Sequence, residues 1–194
     1  MSNGQDIEEV PLTSGPEFGV AEPVGERPGV LRDSADRVKT APAVLSWLDP
    51  ATVPERRDVS VVMVVPFTVD GRVVVARLRR GVELPGGHVQ PEDRSLEDAA
   101  RREAWEEARI TLGRLAVAQV IRVDYLTDPP STSHIVVFTG RVLRMAPFDR
   151  AHESLARMVV PSEDFIDHYG TGSRDDRRVL IAEAGAALRS VAQQ

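Results

Sequence analysis

Three glutamates carry the strongest chemical signal in this sequence. Glu103, Glu106 and Glu107 are spaced i, i+3 and i+4, which places their side chains on one face of a helix. Three like charges so close repel one another, and folding alone does not require them. A bound divalent cation is the natural compensation, since Mg²⁺ prefers carboxylate oxygen and keeps waters that a phosphate group can displace. The spacing therefore predicts a metal site for a phosphate-containing substrate.

A glycine pair precedes this helix. The run Leu84-Pro85-Gly86-Gly87 predicts a tight turn, after which backbone carbonyl groups can approach the same point as the carboxylates. Arg102 stands beside the first glutamate and can pair with a carboxylate of the intervening loop. A cation held there would bridge phosphate oxygens and lower the pKa of a bound water, which could then attack phosphorus. The alternative is a solvated acidic helix face.

Hydrophobic patterning predicts the elements around these residues. Two β-branched apolar runs, 59–65 and 72–78, indicate antiparallel strands, and the Asp70-Gly71 dipeptide between them is typical of a type I′ hairpin turn. Ser95 is the expected N-cap of a helix from Leu96 to about Arg109. The glycine pair therefore lies between a hairpin and the glutamate helix.

The second half of the chain predicts another strand pair and a closing helix. Residues 115–126 and 134–143 read as antiparallel strands around a proline-containing loop, and residues 177–191 carry an apolar stripe at helical spacing. We expect residues 56–194 to form a mixed α/β sandwich.

Residues 1–55 have a different character. They contain seven of the fourteen prolines and no sustained apolar periodicity, so we interpret them as an N-terminal extension. One short helical turn is predicted at residues 42–48, with an apolar side that can dock. We expect this segment to cover core surface of the domain, with a homodimerisation arm as the alternative.

Composition limits the class of protein. The absence of cysteine excludes disulfides and thiolate-bound zinc. A net charge of -6 gives no general attraction to duplex nucleic acid or to an anionic membrane surface. No apolar run approaches the roughly 20 residues that a membrane span needs. We expect a cytoplasmic protein whose partner is a small molecule.

At the glycine pair and the glutamate helix, the sequence resembles the Nudix hydrolases. The family signature is a glycine, five residues, a glutamate, seven residues, then Arg-Glu-aliphatic-any-Glu-Glu-any-Gly-aliphatic. Here it begins at Gly87, passes through Asp93 and Arg102, and ends at Ile110. One residue is inserted before the arginine, aspartate replaces the first glutamate, and Arg109 replaces the last glycine, at a cost of roughly 1 kcal/mol if it is left-handed.

The resemblance implies a fold, an activity and a set of roles. The implied fold is an α/β/α sandwich, in which a curved mixed β-sheet carries the glutamate helix on one side and the C-terminal helix on the other. It implies Mg²⁺-dependent hydrolysis, with Mn²⁺ as an alternative, of the diphosphate bond in a nucleoside diphosphate linked to another group X. The implied metal ligands are Glu103, Glu106, Glu107 and the carbonyl of Gly87, and the general base is either a glutamate of this set or the later Glu153. The three departures leave a rival open, a non-catalytic nucleotide-sensing or protein-interaction module on the same fold.

Several further side chains are candidates with structural alternatives. We expect Asp93 to pair with Arg102, with Glu92 as the alternative partner. Trp105 is expected to pack beneath its helix. The remaining candidates are for substrate. Arg77 and Arg79 suit phosphate or are surface charge, and Tyr125 has a spacing from the signature associated in this family with diadenosine polyphosphate hydrolases.

Overall fold

A computed structural model describes residues 27–30, 42–149, 153–170 and 172–193. It contains both helices and strands, as in a mixed α/β protein. In chain order they are β1 (Arg27–Val30), β2 (Pro42–Leu48), β3 (Val59–Phe67), β4 (Val73–Leu78), β5 (Gly81–Glu83), β6 (Gly86–His88), α1 (Leu96–Ala108), β7 (Ile110–Tyr125), β8 (Ser131–Met145), β9 (Ala156–Val160), α2 (Ser162–His168) and α3 (Arg174–Ala192).

The strands of the described residues form one mixed sheet in the order β1-β2-β7-β8-β3-β4-β5. β3 and β8 are parallel, and the other neighbours are antiparallel. β4 pairs with β3 only at the Phe67–Val73 position, where the two strands separate. Beyond that point β5 pairs with β4 and β6 pairs with β3, while β9 lies on the other side of β4. The glycine pair of β6 therefore lies directly beside β3.

Alternating valines divide the core between the two faces of the sheet. Val62 and Val74 belong to the core cluster that contains α1. Val73 and Val75 belong to the opposite cluster, which contains Phe165 of α2 and residues of α3. Helices therefore cover both faces of a mixed sheet, which confirms the predicted sandwich with the glutamate helix and the C-terminal helix on opposite sides.

The predicted helical turn at residues 42–48 is wrong. These residues form β2, which pairs antiparallel with β7 from Ala43 opposite Tyr125 to Leu48 opposite Val120. Pairing with an otherwise open edge satisfies the backbone of β2, which local helix propensity does not reveal. Part of the expected extension thus widens the sheet. Residues 1–26 and 31–41 lie outside the described residues, so the covering or dimerisation role and the boundary at residue 56 stay predictions.

The first hairpin turns where the sequence indicates, but with another geometry. The Gly71 N–H donates to the Thr68 carbonyl at 3.0 Å, and Gly71 has a φ of +79°. A type I′ turn also needs a positive φ at the preceding residue, and Asp70 does not have one. Five residues, 68–72, connect β3 to β4, so the shorter type I′ loop is wrong here.

The closing helix starts three residues earlier than predicted. Ser173 caps α3 in a reciprocal capping box with Asp176, so that the helix begins at Arg174. Ile181 and Ala184 bury the inner side of this helix against the sheet. No helix within the described part of the chain is long and apolar enough to cross a membrane.

Candidate active site

Small residues bring α1 close to the sheet. The Ser95 Oγ accepts the Asp98 N–H at 3.0 Å and starts the helix as predicted. Alanines form most of its inner face and are fully buried: Ala99, Ala100, Ala104 and Ala108. Because alanine has so little side chain, the helix lies near the strands, and Glu103 and Glu107 are only 8% and 6% exposed. Two of the three glutamates are therefore buried carboxylates rather than part of a solvated face.

The glycine pair forms a strand and not the predicted tight turn. Gly86 and Gly87 lie in β6, opposite Met63 and Val62 of β3, and neither has a positive φ. Glycine is required here for close approach. A Cβ at position 87 would lie 2.5 Å from the Oε1 of Glu103. The carboxylate thus packs directly against the backbone of β6.

Arg102 donates hydrogen bonds to three carboxylates of the acidic cluster. Its Nε and Nη2 donate to the two carboxylate oxygens of Asp93 at 3.0 and 2.9 Å, and Nη2 also donates to the His88 carbonyl at 3.0 Å. Its Nη1 donates to Glu103 at 2.7 Å and to Glu106 at 3.1 Å. The predicted Asp93–Arg102 pair is confirmed, in the bidentate form that suits guanidinium.

The loop that holds the inserted residue closes around Asp93. The Gln90 N–H donates to the Asp93 carboxylate at 2.8 Å, and the Asp93 N–H donates to the Gln90 carbonyl at 3.1 Å. Hydrogen bonds from Arg102 hold the pKa of Asp93 below its usual range. Glu92, the alternative partner, is exposed. The extra residue is therefore absorbed in a turn without loss of the arginine's anchor.

Burial dominates the electrostatics of the two inner glutamates. It raises the pKa of Glu107 to about 7, against the lowering effect of the Gly86 N–H, which donates to its carboxylate at 3.0 Å. Burial also raises the pKa of Glu103, although the hydrogen bond from Arg102 acts in the opposite direction. At both carboxylates, the effect of burial on the pKa therefore exceeds that of the neighbouring hydrogen-bond donors.

Glu153 lies beside these glutamates. A cavity of about 230 Å³ is lined by the following residues: Gly86, Gly87, His88, Gln90, Glu103, Glu106, Glu107 and Glu153. The Glu153 side chain is 68% exposed, and its carboxylate lies 3.4 Å from the Arg80 Nη1. A glutamate that is distant in sequence thus reaches the cavity of the glutamate helix.

The donor set suits a hard divalent cation, although the carboxylates are not arranged around one. The cavity offers carboxylate oxygens, two of them buried, and Glu103 packs on the backbone of Gly87. Within the described ranges, no three acidic, histidine or cysteine side chains surround a single point as a metal site. Glu103 and Glu106 instead share the Nη1 of Arg102. The chemistry of the donors fits Mg²⁺, and these two contacts would have to be exchanged for it.

Arg77 and Arg79 line a different cavity. Its volume is about 460 Å³, and it is lined by Arg77, Leu78, Arg79, Arg80, Gly81, Val82, Met158 and Tyr169. Arg77 has the strand parity of Val73 and Val75, which places it on the α3 side of the sheet. Arg80 lines this cavity and contacts Glu153, so the two cavities meet at the Arg80–Glu153 pair.

Tyr125 lies at the end of β7, opposite Ala43 of β2 and Ser131 of β8. It packs against the core cluster on the α3 side. It lines neither of the two cavities described above. The structure therefore does not bring Tyr125 together with the glutamates, and its role in substrate binding stays a prediction.

Arg109 ends α1 in the left-handed conformation that glycine normally supplies. Its φ and ψ are 52° and 42°, and its N–H donates to the Trp105 carbonyl at 3.0 Å. Its guanidinium carbon lies 5.5 Å from the centroid of the Trp105 ring. Trp105 is 43% exposed, so the prediction that it packs beneath the helix is wrong. The arginine stacks on the outer face of its own helix.

The chain is thus an α/β sandwich in which a glutamate-bearing helix packs beside a strand that contains a glycine pair. A family model described as the NUDIX domain matches residues 56–181. The chain belongs to the Nudix family. No curated protein matches this chain at a significant level.

Solved structures share the fold at low sequence identity. The Bacillus subtilis pyrophosphohydrolase BsRppH is 14% identical, with a TM-score of 0.58, over 84% of this chain and 97% of that one. A Nudix hydrolase from Nitrosomonas europaea is 16% identical, with a TM-score of 0.50, over 66% and 90%. The Nudix domain of Shewanella oneidensis NrtR, solved with ADP ribose, is 18% identical, with a TM-score of 0.52, over 72% and 92%. These likenesses concern the fold.

Proposed function

We propose that this protein hydrolyses the diphosphate bond of a nucleoside diphosphate linked to another group X. The observation that carries the proposal is the pair of buried glutamates, Glu103 and Glu107, packed against the glycine strand of a Nudix domain. Buried carboxylates at this density are costly unless a cation or a proton compensates them. The names of two structural relatives, a pyrophosphohydrolase and a Nudix hydrolase, support the same reaction class.

Mg²⁺ is the proposed cofactor, with Mn²⁺ as an alternative. Glu103, Glu106, Glu107 and the carbonyl of Gly87 would hold it. When bound, such an ion supplies charge for the phosphate oxygens and lowers the pKa of a coordinated water. Arg102 would keep its hydrogen bonds to Asp93 through Nε and Nη2, while its Nη1 would release Glu103 and Glu106 to the ion.

Glu153 is the proposed general base. Glu103 and Glu106 accept from Arg102, and Glu107 accepts from the Gly86 N–H, whereas the Glu153 carboxylate has only a 3.4 Å contact with Arg80 among the described residues. It can take the proton of a water as the water oxygen bonds to phosphorus. The bridging P–O bond then breaks, and its oxygen leaves with one of two phosphate-containing products.

The second cavity is the proposed site for part of the substrate beyond the cleaved bond. No hydrogen bond or ion pair ties the guanidinium groups of Arg77 and Arg79 to another described residue. Such groups suit phosphate oxygens. Met158 and Tyr169 supply an apolar and aromatic wall on which a base or sugar can pack. Because this cavity adjoins Glu153 through Arg80, one extended substrate can reach both.

The test is turnover by the purified full-length chain on a panel of nucleoside triphosphates, ADP-ribose, nucleotide sugars and dinucleoside polyphosphates with Mg²⁺ or Mn²⁺. Glu106→Gln and Glu107→Gln should each weaken metal binding and abolish most activity. Glu153→Gln should lower kcat and leave metal affinity unchanged. The exposed Glu97 on the same helix supplies the control, Glu97→Gln, which should keep full activity. Absence of turnover on the whole panel would refute the proposal.

A non-catalytic nucleotide sensor is the second candidate. The contacts of Arg102 with both Glu103 and Glu106 favour it, because these ion pairs occupy two of the proposed metal ligands. The Shewanella relative, solved with ADP ribose, supports ligand binding by this fold. Calorimetry separates the two functions. A sensor would bind an intact nucleotide tightly in the presence of chelator and return it uncleaved.

A further inference from the structure

The backbone of Arg109 ties the end of α1 to the chain after β8. The Ala146 N–H donates to the Arg109 carbonyl at 2.9 Å. Arg157 of β9 reinforces the same junction, since its Nη1 donates to the carbonyls of Ala108 at 3.1 Å and Ala146 at 2.9 Å. The C-terminal end of the glutamate helix, the end of β8 and β9 therefore meet at one point.

The Arg109 side chain extends this junction outward. Its Nη1 donates to the Trp105 carbonyl at 3.1 Å, and its Nε forms an ion pair with Asp149. The arginine side chain is 8% exposed, whereas that of Asp149 is 70% exposed. A glycine in this position, as in the family signature, would end the helix equally well but could not reach Asp149.

Asp149 lies four residues before Glu153. A chain of that length spans at most about 14 Å, so the position of Asp149 restricts where Glu153 can lie. On the far side, the Leu155 N–H donates to the Arg77 carbonyl at 2.7 Å. Glu153 therefore lies between two points of attachment in the chain: Asp149 contacts Arg109 at the end of α1, and Leu155 contacts β4.

We propose that Arg109 is a positioning residue whose ion pair with Asp149 holds the Glu153 carboxylate at the cavity of the glutamate helix. The proposal rests on the proposed function in assigning Glu153 as the base. It gives a reason for arginine where the family signature has glycine. Glycine would only end the helix, whereas the buried guanidinium of Arg109 also links the helix to Asp149, four residues before Glu153. This ion pair is the tether.

A double-mutant cycle tests the proposal. Arg109→Gly should keep the left-handed helix end and lower kcat by about fivefold with KM little changed, as expected for loss of one partly exposed ion pair. Asp149→Asn removes the same pair without altering the helix and should give a similar loss. Arg109→Gly combined with Glu153→Gln should be no slower than Glu153→Gln alone. Multiplied losses in the double variant would overturn the proposal.

Hydrogen exchange provides a readout that does not depend on turnover. In the metal-free protein, Arg109→Gly and Asp149→Asn should speed exchange of the Leu155 amide by about fivefold, because one anchor of its segment is gone. Arg144→Ala, which removes an exposed arginine from β8, is the control and should not change it. Unchanged exchange in both variants would overturn the tether. A wild-type protein without turnover would refute the proposed function, and exchange alone would then decide the tether.

Discussion

Replacement of Glu107 by glutamine should change how the stability of the metal-free protein depends on pH. Burial raises the pKa of Glu107 from an ordinary 4.5 to about 7. A carboxyl group with a higher pKa in the folded state binds its proton more tightly there. The contribution of Glu107 to the free energy of unfolding is therefore largest below about pH 4.5, falls as the pH rises through this window, and stays lowered above about pH 7.

The magnitude follows from the two pKa values. The span from 4.5 to about 7 corresponds to a loss of about 3 kcal/mol above the upper value. Glutamine is neutral at every pH and can still accept the Gly86 N–H, so Glu107→Gln does not suffer this loss. At about 2–4 °C per kcal/mol, the variant should melt roughly 6–12 °C above wild type near pH 8 and close to wild type near pH 5.

The assay is thermal unfolding in chelator at both pH values, for wild type, Glu107→Gln and the control Glu97→Gln. The control removes a glutamate from the exposed side of the same helix. A difference in Tm between wild type and Glu107→Gln that is the same at both pH values would contradict a raised pKa of Glu107 in the folded protein. So would a variant that is less stable than wild type near pH 8.

Three further changes test other parts of the structure. Gly87→Ala should weaken Mn²⁺ binding by about tenfold in calorimetry, because its Cβ would lie 2.5 Å from Glu103 and displace this ligand. Gly113→Ala is the control, since its Cβ would have no contact nearer than 3.5 Å. Ser95→Ala should lower the free energy of unfolding in urea by about 1 kcal/mol through loss of the N-cap, and no change would contradict the capping geometry. Deletion of residues 1–49 removes β2 and should cause self-association through the exposed edge of β7 in light scattering; a stable monomer would contradict this.

Local pattern was sufficient for most elements and for the glutamate helix. The β-branched runs of β3 and β4 and the Ser95 cap act within a few residues, so the sequence exposes them directly. β2 differs, because its partner β7 lies more than 70 residues away in the chain and a short Ala-Val-Leu segment suits a helix equally well. Only the pairing of β2 with β7 identifies these residues as a strand.

The site was predictable in its residue types and less so in its geometry. Glycine at position 87 suggested a turn, whereas its purpose is contact with Glu103, which depends on how closely α1 packs. The charge of Arg77 and Arg79 predicts that they bind substrate, but it does not show where they lie. Strand parity fixes Arg77 on the α3 face, but the sequence does not state which face α1 covers. The proximity of Glu153 likewise depends on long-range packing.

We infer that the buried glutamates of α1 serve metal-dependent cleavage of a diphosphate bond. The most direct test is phosphorus NMR of the products formed from the best panel substrate in heavy-oxygen water with Mg²⁺, for wild type and Glu106→Gln. We expect two phosphate-containing products, heavy oxygen in only one of them, and loss of the reaction in chelator and in the variant. Intact substrate after prolonged incubation with the wild-type protein, or equal turnover by Glu106→Gln, would contradict it.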